Sequence, residues 1–421
     1  MARIVVKFGG TSVANVERIR QAARHVKREV DAGNQVTVVV SAMSGATNQL
    51  VAWTKEAAPI HDAREYDAVV ASGEQVTAGL MAIVLSEMGI PSRSFSGWQV
   101  PIETDDAHGA ARITGIPPEN LVSRMEEGIV PVVTGFQGIS PKGRITTLGR
   151  GGSDTSAVAV AAAVKADRCD IYTDVDGVYT TDPRIVPKAQ RLNKISFEEM
   201  LEMASLGAKV LMIRSVELAM AQGVRLCVRS TFDDPEAPQL APDGTPGVPG
   251  TLVCDEDEIM EKQIVSGVTL ARGEAKITLR DVKDKPGVAA AVFGALADEA
   301  IVVDMIVQNI SDDGAVTDIT FTVPDGEYDK AIGAIKAAGD RIEYAKISGS
   351  KGGAKISVVG VGMRSHAGVA SSMFKALADK GINIQLITTS EIKTSVLIED
   401  EYAELAVRAL HTYYGLDKKD A

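Results

Sequence analysis

Residues 144–165 contain the side chains of this 421-residue chain whose types and spacing are best suited to chemistry. A predicted strand leads there into a glycine-rich loop and a polar turn: Gly149, Arg150, Gly151, Gly152, Ser153 and Asp154. The glycines allow a tight turn that brings backbone amides close to a ligand. Ser153 and Asp154 are predicted N-cap residues of the following helix. Ala and Val surround that helix on all sides, which predicts that it is buried.

The N-terminus of a buried helix that opens onto a glycine loop can bind an anion. Arg150 and Asp154 add a fixed cation and a carboxylate at the same point. A capped turn is the simpler interpretation, but three glycines together with these two charges favour a binding site. The loop is not a Walker A motif, because no Gly-Lys-Ser/Thr sequence follows the glycines.

A second segment of the same kind lies at the N-terminus. Residues 3–8 form a β-branched run that ends at Gly9 and Gly10, and a helix is predicted to follow up to about Gly33. Lys7 lies at the carboxyl end of this strand, where open α/β sheets bind ligands. A lysine in an apolar strand is costly without a partner, so we favour a function over an exposed strand tip. The absence of a G-x-G-x-x-G pattern argues against a dinucleotide site.

Further polar residues follow the next predicted elements. Residues 35–42 indicate a strand buried on both faces, and the small polar loop after it contains Ser41 and Thr47. Glu74 lies within a long apolar helix predicted over 63–88, as either a surface charge or a ligand for an ammonium group. We interpret the Asp–His pair in residues 104–112 as a loop contact rather than a metal site, since the chain has only five scattered histidines.

Strands alternate with helices across residues 1–253, which predicts a mostly parallel sheet sandwiched by helices. A strand over 168–175 leads into a folded loop rich in Asp, Thr and Gly. Asp174 and Asp176 in this loop could form a cation site, but their spacing lacks the ligand run of an EF-hand. Helices are predicted at 196–206 and 213–222, with paired strands at 224–230 and 250–253.

The C-terminal part of the chain contains an internal repeat. Residues 287–301 match residues 368–382 at an offset of 81 residues, which indicates two copies of one small domain. Each copy has the pattern strand, turn, helix, two strands and helix, as in an α+β module with helices on one face. Such a module suggests binding rather than catalysis.

Composition limits the class of partner and compartment. The formal net charge of −12 argues against a nucleic-acid groove and against an anionic membrane surface. The three cysteines, Cys169, Cys227 and Cys254, are far apart and suggest reduced thiols. No apolar run approaches a membrane span, and the first residues already form a strand rather than a signal peptide. We therefore expect a cytoplasmic protein with no membrane and no nucleic-acid partner.

The strings KFGGTS, TTLGRGGSDTSA, YTDVDGVYTTDPR and SGE, together with the repeated C-terminal module, resemble the aspartate kinase family over essentially all 421 residues. The resemblance implies an amino-acid-kinase fold over 1–253, a linker at 254–263, and two ferredoxin-like ACT domains at 264–348 and 349–421. Exchange of strands between the two ACT copies is left open. A homo-oligomer formed through the ACT domains is also implied.

The implied reaction is phosphorylation of the β-carboxylate of L-aspartate by ATP with Mg²⁺, which gives 4-phospho-L-aspartate. This step opens lysine, threonine and methionine biosynthesis, and lysine, threonine or both are the implied inhibitors. Two alternatives remain at this point. Another amino-acid kinase, acting on glutamate or acetylglutamate, shares the fold but fits the repeated ACT modules poorly, and a non-catalytic amino-acid sensor would bind without turning over ATP.

The resemblance also implies roles for individual residues. Lys7 would meet the transferred phosphate beside the Gly9 and Gly10 amides, and Asp154 would organise that lysine. Arg150 would hold the substrate α-carboxylate, and Glu74 its ammonium. The implied substrate-binding residues are Thr47, Glu74, Arg150, Gly151, Gly152 and Ser153. The implied nucleotide-binding residues are Lys7, Phe8, Gly9, Gly10, Ser41, Thr173, Asp174, Tyr179, Asp182, Arg184 and Lys209. No protein ligand is implied for Mg²⁺, which would bridge phosphates.

The implied effector residues are Asp284, Pro286, Gly287, Asp304, Gln308, Asn309, Asn383 and Ile384. The two copies differ at one position of the family pattern. The first copy has Val302 where the second has Asn383. A valine side chain cannot form hydrogen bonds, so we expect the two effector pockets to be unequal.

Overall fold

The computed structural model describes residues 1–206, 210–239, 247–259, 264–311, 314–339 and 341–418. The chain divides into two compact units that are not contiguous in sequence. The first comprises Met1–Val178, Arg191–Ala204 and Lys209–Met260, and the second Tyr179–Gln190, Ser205–Ala208 and Glu261–Ala421.

Before residue 260, short helices and strands alternate as the sequence predicts. The strands are β1 (Arg3–Phe8), β2 (Gln35–Val40), β3 (Ser92–Phe95), β4 (Glu103–Thr104), β5 (Ile113–Gly115), β6 (Val130–Thr134), β7 (Gln137–Ile139), β8 (Ile145–Thr147), β9 (Arg168–Thr173), β10 (Lys194–Ser196), β11 (Leu226–Ser230) and β12 (Thr251–Cys254). The α-helices are α1 (Val16–Asp31), α2 (Ala46–Ala57), α3 (Ala63–Val70), α4 (Ser72–Glu87), α5 (Glu119–Glu126), α6 (Gly152–Ala163), α7 (Phe197–Ser205) and α8 (Ile213–Gln222).

The central sheet of the first unit has the order β10-β12-β11-β9-β1-β2-β6-β3. Its pairs are parallel except that β11 and β12 are antiparallel. Alternate residues of β1 pack with α1 and α4 in one core, while α6 packs against β1 and β9. Residues 152–161 of α6 are all buried, as the all-round Ala and Val pattern predicts. The parallel strands bring the loops after β1 and β2 to the same edge.

A second sheet of the first unit was not predicted. It has the order β5-β4-β7-β8, and its strands are only two or three residues long in the described chain. Strands of this length are too short to show a two-residue periodicity in sequence. The sheet matters because β8 leads directly into the glycine loop.

One helical stretch, residues 63–87, is long and apolar enough to span a membrane by length and composition. This stretch is not a continuous apolar run, since it contains Arg64, Glu65, Asp67 and Glu74. Half of its most apolar window is buried within the fold. Ala78, Met81 and Leu85 of this stretch belong to the core beside β1 and β2, which is the packing of a core helix.

The second unit contains a six-stranded antiparallel sheet in the order β14-β15-β13-β16-β18-β17. Its strands are β13 (Gly267–Lys283), β14 (Asp304–Ile310), β15 (Val316–Pro324), β16 (Lys346–Val359), β17 (Leu386–Thr389) and β18 (Lys393–Glu399). Its α-helices are α9 (Val288–Asp298), α10 (Tyr328–Ala337), α11 (Val369–Ala378) and α12 (Ala403–Tyr413). Each copy of the repeat thus forms a helix, two strands and a helix.

The two long strands β13 and β16 are shared between the copies. Residues 267–272 of β13 pair with residues 354–359 of β16, and residues 276–280 pair with residues 346–350. The core of the first copy contains Ile277 and Leu279, from the second half of β13. The core of the second copy contains Val268, from the first half of the same strand. The core of the second copy is therefore completed by a strand segment that precedes the first copy in sequence.

Candidate active site

Lys7 and Asp154 form a nearly buried ion pair in the first unit. The Nζ atom of Lys7 lies 2.5 Å from Oδ1 of Asp154, and the two side chains are 9% and 11% exposed. Lys7 lies near the carboxyl end of β1, and Asp154 lies in the first turn of α6. A buried charge requires a partner, so this pair fixes the ammonium group at one edge of the sheet.

The glycine loop places the N-terminus of α6 beside this pair. The N-cap of α6 is Gly151, with a left-handed φ of 74° and no side-chain cap. The prediction that Ser153 and Asp154 would cap the helix was wrong, because both lie inside its first turn. Gly151 is also required sterically, since a Cβ atom there would lie 2.1 Å from Cγ of Met212.

Glu74 is a buried carboxylate in the first turn of α4, not a surface charge. The Ala42 amide donates to its Oε1 atom at 3.0 Å, whereas Oε2 is buried without a hydrogen-bond partner among the described residues. Gly73 permits this approach, because a Cβ atom there would lie 2.8 Å from Cβ of Ala42. Burial raises the pKa of Glu74 to about 7. A cation placed at Oε2 would stabilise the ionised form.

A cavity of about 530 Å³ opens between the loops at this edge of the sheet. Its wall includes every residue predicted to act in catalysis or substrate binding: Lys7, Thr47, Glu74, Arg150, Gly151, Gly152, Ser153 and Asp154. Two residues predicted to bind nucleotide, Gly10 and Ser41, also line it. The cavity therefore offers two cations, two carboxylates and a helix N-terminus to one small ligand.

The Phe8 side chain and the Gly9 amide both make contacts within the fold. The Phe8 side chain is buried and stacks on Tyr172, with ring centroids 5.0 Å apart. The Gly9 amide donates to the carbonyl oxygen of Tyr172 at 3.2 Å. The Gly9 amide and the Phe8 ring thus both have partners within the fold, and a role for these two residues in nucleotide binding stays a prediction. Gly9 still borders the lysine, since a Cβ atom there would lie 3.5 Å from Nζ of Lys7.

The cavity wall also contains residues that the sequence analysis did not single out: Tyr66, Val70, Gly109, Phe136 and Thr147. Phe136 has a φ of 68°, which is rare for a residue with a side chain. It follows Gly135, where a Cβ atom would lie 2.8 Å from Cβ of Ser153. Gly135, directly after β6, was the sequence signal that could have pointed to this turn, because a glycine permits the close contact between the turn and α6.

His108 makes a loop contact, as the sequence analysis interpreted it. Its Nδ1 atom lies 2.7 Å from Oδ2 of the buried Asp67. Among the residues that the structure describes, no group of three His, Cys, Asp or Glu side chains is placed to hold a metal ion.

Comparison with known proteins agrees with this geometry. Residues 2–230 match the amino acid kinase family, and residues 280–338 and 356–414 match the ACT domain. The chain is 53% identical over 418 residues to the aspartate kinase of Pseudomonas putida, covering 99% of this chain and 98% of that protein. It is 47% identical over 422 residues to an aspartokinase of Helicobacter pylori, covering 99% and 100%. The chain belongs to the aspartate kinase family. It is therefore an amino acid kinase phosphotransferase with C-terminal ACT domains.

Solved aspartate kinases share the fold. Escherichia coli aspartokinase III in complex with aspartate and ADP matches with a TM-score of 0.77 and 28% identity, over 97% of this chain and 99% of that one. The same enzyme in complex with lysine and aspartate matches with a TM-score of 0.75 and 29% identity, over 98% and 99%. The predicted fold class, an amino-acid-kinase fold followed by ACT domains, is confirmed.

In this member of the aspartate kinase family, Thr173 and Asp174 lie at the end of β9. The Thr173 hydroxyl donates to Oδ1 of Asp174 at 3.1 Å. Asp176 instead accepts from Nη1 of Arg191 at 2.9 Å. The two aspartates thus have separate partners, which disfavours the cation site considered from their spacing.

The remaining predicted nucleotide residues are spread over other parts of the chain. Tyr179, Asp182 and Arg184 belong to the segment Tyr179–Gln190, which groups with the second unit. Asp182 accepts from Nη2 of Arg184 at 2.7 Å, and the Arg184 side chain is 89% exposed. Lys209 lies outside the described residues. A role for these four residues in nucleotide binding stays a prediction.

The predicted effector residues occupy the turns and strands of the ACT modules. Asp284, Pro286, Gln308, Asn309 and Asn383 are exposed. Gly287 is the left-handed N-cap of α9, with a φ of 92°, and Gly368 holds the same position before α11.

Two of the predicted effector residues already have partners within the unit. The Asp304 carboxylate forms an ion pair with the buried Lys355, so it is not a free partner for a ligand ammonium. Ile384 packs against the core of the second copy. Its side chain therefore contributes to the packing of this copy.

Proposed function

We propose that this enzyme transfers the terminal phosphoryl group of ATP to the β-carboxylate of L-aspartate, which gives 4-phospho-L-aspartate and ADP. The observation that carries the proposal is buried Glu74, whose Oε2 atom has no hydrogen-bond partner in the described part of the chain, in a cavity also lined by Lys7 and Arg150. A buried carboxylate without a cation is unstable relative to one that receives an ammonium group. The substrate ammonium is the natural partner for this oxygen.

The other charges of the cavity match the two carboxylates of the substrate. Arg150 lies at the mouth of the glycine loop, and its planar guanidinium can hold the α-carboxylate through two parallel hydrogen bonds. Lys7 would contact the β-carboxylate and the transferred phosphoryl group. One amino acid with two carboxylates and one ammonium therefore satisfies Glu74, Arg150 and Lys7 together.

Phosphoryl transfer needs alignment and neutralisation of charge more than proton transfer. The substrate β-carboxylate is already ionised at neutral pH, so the enzyme needs no general base. Lys7 would stabilise negative charge on the phosphoryl oxygens, while Asp154 holds its Nζ atom in position. The positive end of the α6 helix dipole would add further stabilisation.

Mg²⁺ is proposed to enter with ATP. Hard oxygen ligands suit this ion, and the phosphate oxygens of ATP supply most of them. Of the two carboxylates in the cavity, Asp154 is engaged by Lys7 and Glu74 by the Ala42 amide. The two carboxylates are therefore suited to positioning charged groups rather than to binding the ion. Mg²⁺ would neutralise negative charge on the phosphates of ATP.

We further propose that the ACT modules bind lysine, threonine or both and inhibit the kinase. The structure of E. coli aspartokinase III in complex with lysine and aspartate supports an amino-acid effector. The left-handed glycines before α9 and α11 begin these helices without a side-chain cap, and such helix N-termini favour a carboxylate. We also propose a cytoplasmic homo-oligomer assembled through these modules, acting in lysine, threonine and methionine biosynthesis.

A coupled assay of ADP release tests the reaction. Aspartate, glutamate and N-acetylglutamate are compared at equal concentrations with Mg²⁺ and ATP. We expect turnover with aspartate at least about tenfold above that with the other two, since a longer chain misplaces the reacting carboxylate by more than about 1 Å. Preference for glutamate or acetylglutamate would indicate another amino-acid kinase, and aspartate binding without ADP release would indicate a non-catalytic sensor.

A further inference from the structure

Asp67 is a fully buried carboxylate on α3 that joins three separate segments. Its Oδ1 atom accepts a hydrogen bond from the Thr147 hydroxyl at 2.6 Å. Its Oδ2 atom lies 2.7 Å from Nδ1 of His108, and the Gly109 amide donates to both oxygens at 3.1 Å. These hydrogen bonds offset the cost of burying the carboxylate, and all of them come from elements other than α3.

The partners of Asp67 form part of the cavity wall. Gly109 and Thr147 both line the cavity that contains Arg150 and Glu74. Thr147 ends β8, two residues before the left-handed Gly149 of the glycine loop. A Cβ atom on Gly149 would lie 3.2 Å from the Gly109 carbonyl oxygen, so the two loops are in direct contact. Fixing residues 108 and 109 therefore also restricts the loop that carries Arg150.

Arg214 secures the same two loops independently of Asp67. Its Nη1 atom donates to the Leu148 carbonyl oxygen and its Nη2 atom to the Ala111 carbonyl oxygen, both at 2.7 Å. The Ala111 amide also donates to the Thr147 carbonyl oxygen at 2.9 Å. Because these backbone contacts do not involve Asp67, its loss would shift the loops rather than detach them.

We propose that Asp67 is a positioning residue for aspartate recognition. It sets the position of the glycine loop, and through that loop the guanidinium of Arg150, by holding the Thr147 hydroxyl and the Gly109 amide. The inference rests on the proposed aspartate kinase reaction. It identifies a carboxylate behind the cavity wall that controls affinity for the amino acid without touching it.

The test uses the Asp67→Asn variant of the full-length enzyme. Asparagine has nearly the same shape but only one acceptor oxygen for three donors, so at least one of the loop contacts is lost or reversed. We expect KM for aspartate to rise about tenfold, because small misplacement of a substrate-holding group has large effects. KM for ATP and the melting temperature should change little, and the aspartate Kd measured by calorimetry should follow KM.

Asp62→Asn is the matched control. Asp62 is the N-cap of the same helix, is exposed, and accepts hydrogen bonds from Arg64. Asparagine caps a helix about as well as aspartate, so this variant should change neither the melting temperature nor KM for aspartate appreciably. If Asp67→Asn does not fold, Thr147→Val removes one of the three contacts with little change in volume. It should raise KM for aspartate about threefold, as expected for one lost hydrogen bond.

The outcomes separate the two proposals. A folded Asp67→Asn enzyme with unchanged KM for aspartate, or with equal rises in both KM values, overturns the role of Asp67 while the proposed reaction stands. A Thr147→Val enzyme with unchanged KM for aspartate likewise overturns the role of Asp67 while the proposed reaction stands. Wild-type enzyme that releases no ADP with aspartate overturns the proposed reaction and, with it, the role of Asp67 in aspartate recognition.

Discussion

The Nζ atom of Lys7 lies 2.5 Å from Oδ1 of Asp154, although the two residues are far apart in sequence. The pair connects β1 to the first turn of α6, at the edge of the cavity that also holds Glu74 and Arg150. A lysine held in this way is already oriented when the substrates arrive, so no reorganisation of its charge is needed during transfer.

Replacing Lys7 by alanine should lower kcat by about 10²–10³-fold, because the lost interaction strengthens as charge develops on the phosphoryl group. Steady-state kinetics with saturating aspartate and ATP measure the effect. Lys27→Ala is the control, since Lys27 is an exposed lysine paired with Asp31 on α1. Activity of Lys7→Ala within a few-fold of wild type would remove Lys7 from the catalytic role.

Arg150→Lys keeps the positive charge but loses the planar arrangement that holds a carboxylate through two hydrogen bonds. We expect KM for aspartate to rise about tenfold, as for one lost charge-assisted hydrogen bond, with little change in KM for ATP. The same substitution at Arg144, an exposed residue paired with Glu65, should change neither KM. A rise confined to KM for ATP would assign the glycine loop to the nucleotide instead.

Glu74→Gln should raise KM for aspartate at least about tenfold, because an amide pairs poorly with an ammonium group. The wild-type enzyme should bind aspartate more tightly as the pH rises from 6 to 8, since Glu74 ionises with a pKa of about 7 and only the ionised form pairs with the ligand. Calorimetry of aspartate binding across this range measures the trend. A similar pH dependence in Glu74→Gln would show that another group is responsible.

The same raised pKa affects stability in the absence of substrate. The pKa of Glu74 rises from 4.5 to about 7 on folding, so the folded protein binds the proton more tightly than the unfolded chain. The contribution of Glu74 to stability is therefore fully present below pH about 4.5 and is lost as the pH rises through about 7. Thermal unfolding at pH 5 and pH 8 should show a smaller loss of stability in Glu74→Gln than in wild type. An equal or larger loss in the variant would exclude Glu74 as the source.

Val302→Asn tests whether the two effector pockets differ. Val302 is 75% exposed in the turn before β14, and its counterpart Asn383 is also exposed. Restoring an amide there should change the affinity for one of lysine and threonine and leave the other nearly unchanged. Calorimetric titration of wild type, Val302→Asn and the control Val302→Ala with each amino acid measures this. Equal shifts for both effectors, or no binding of either, would contradict the expectation.

Local sequence patterns were sufficient for the alternating α/β architecture, for the repeated module and for two of the segments that line the cavity. The apolar runs of β1 and β2, the Ala and Val residues of α6, and the repeat in the second unit are all visible as short-range patterns. The glycine loop and Lys7 could be singled out because glycine clusters and a charged residue in an apolar strand are locally unusual. These signals depend on residues within one or two turns of each other.

Other features depend on contacts between distant residues, which leave no local pattern. Glu74 is buried rather than a surface charge because it packs against Ala42, which is distant in sequence. The Gly9 amide is engaged because the distant Tyr172 carbonyl oxygen accepts its hydrogen bond. Asp67 has no distinctive neighbours in sequence, yet it contacts Thr147 across 80 residues. Only tertiary packing brings such groups together, and burial then sets their hydrogen bonds and their pKa values.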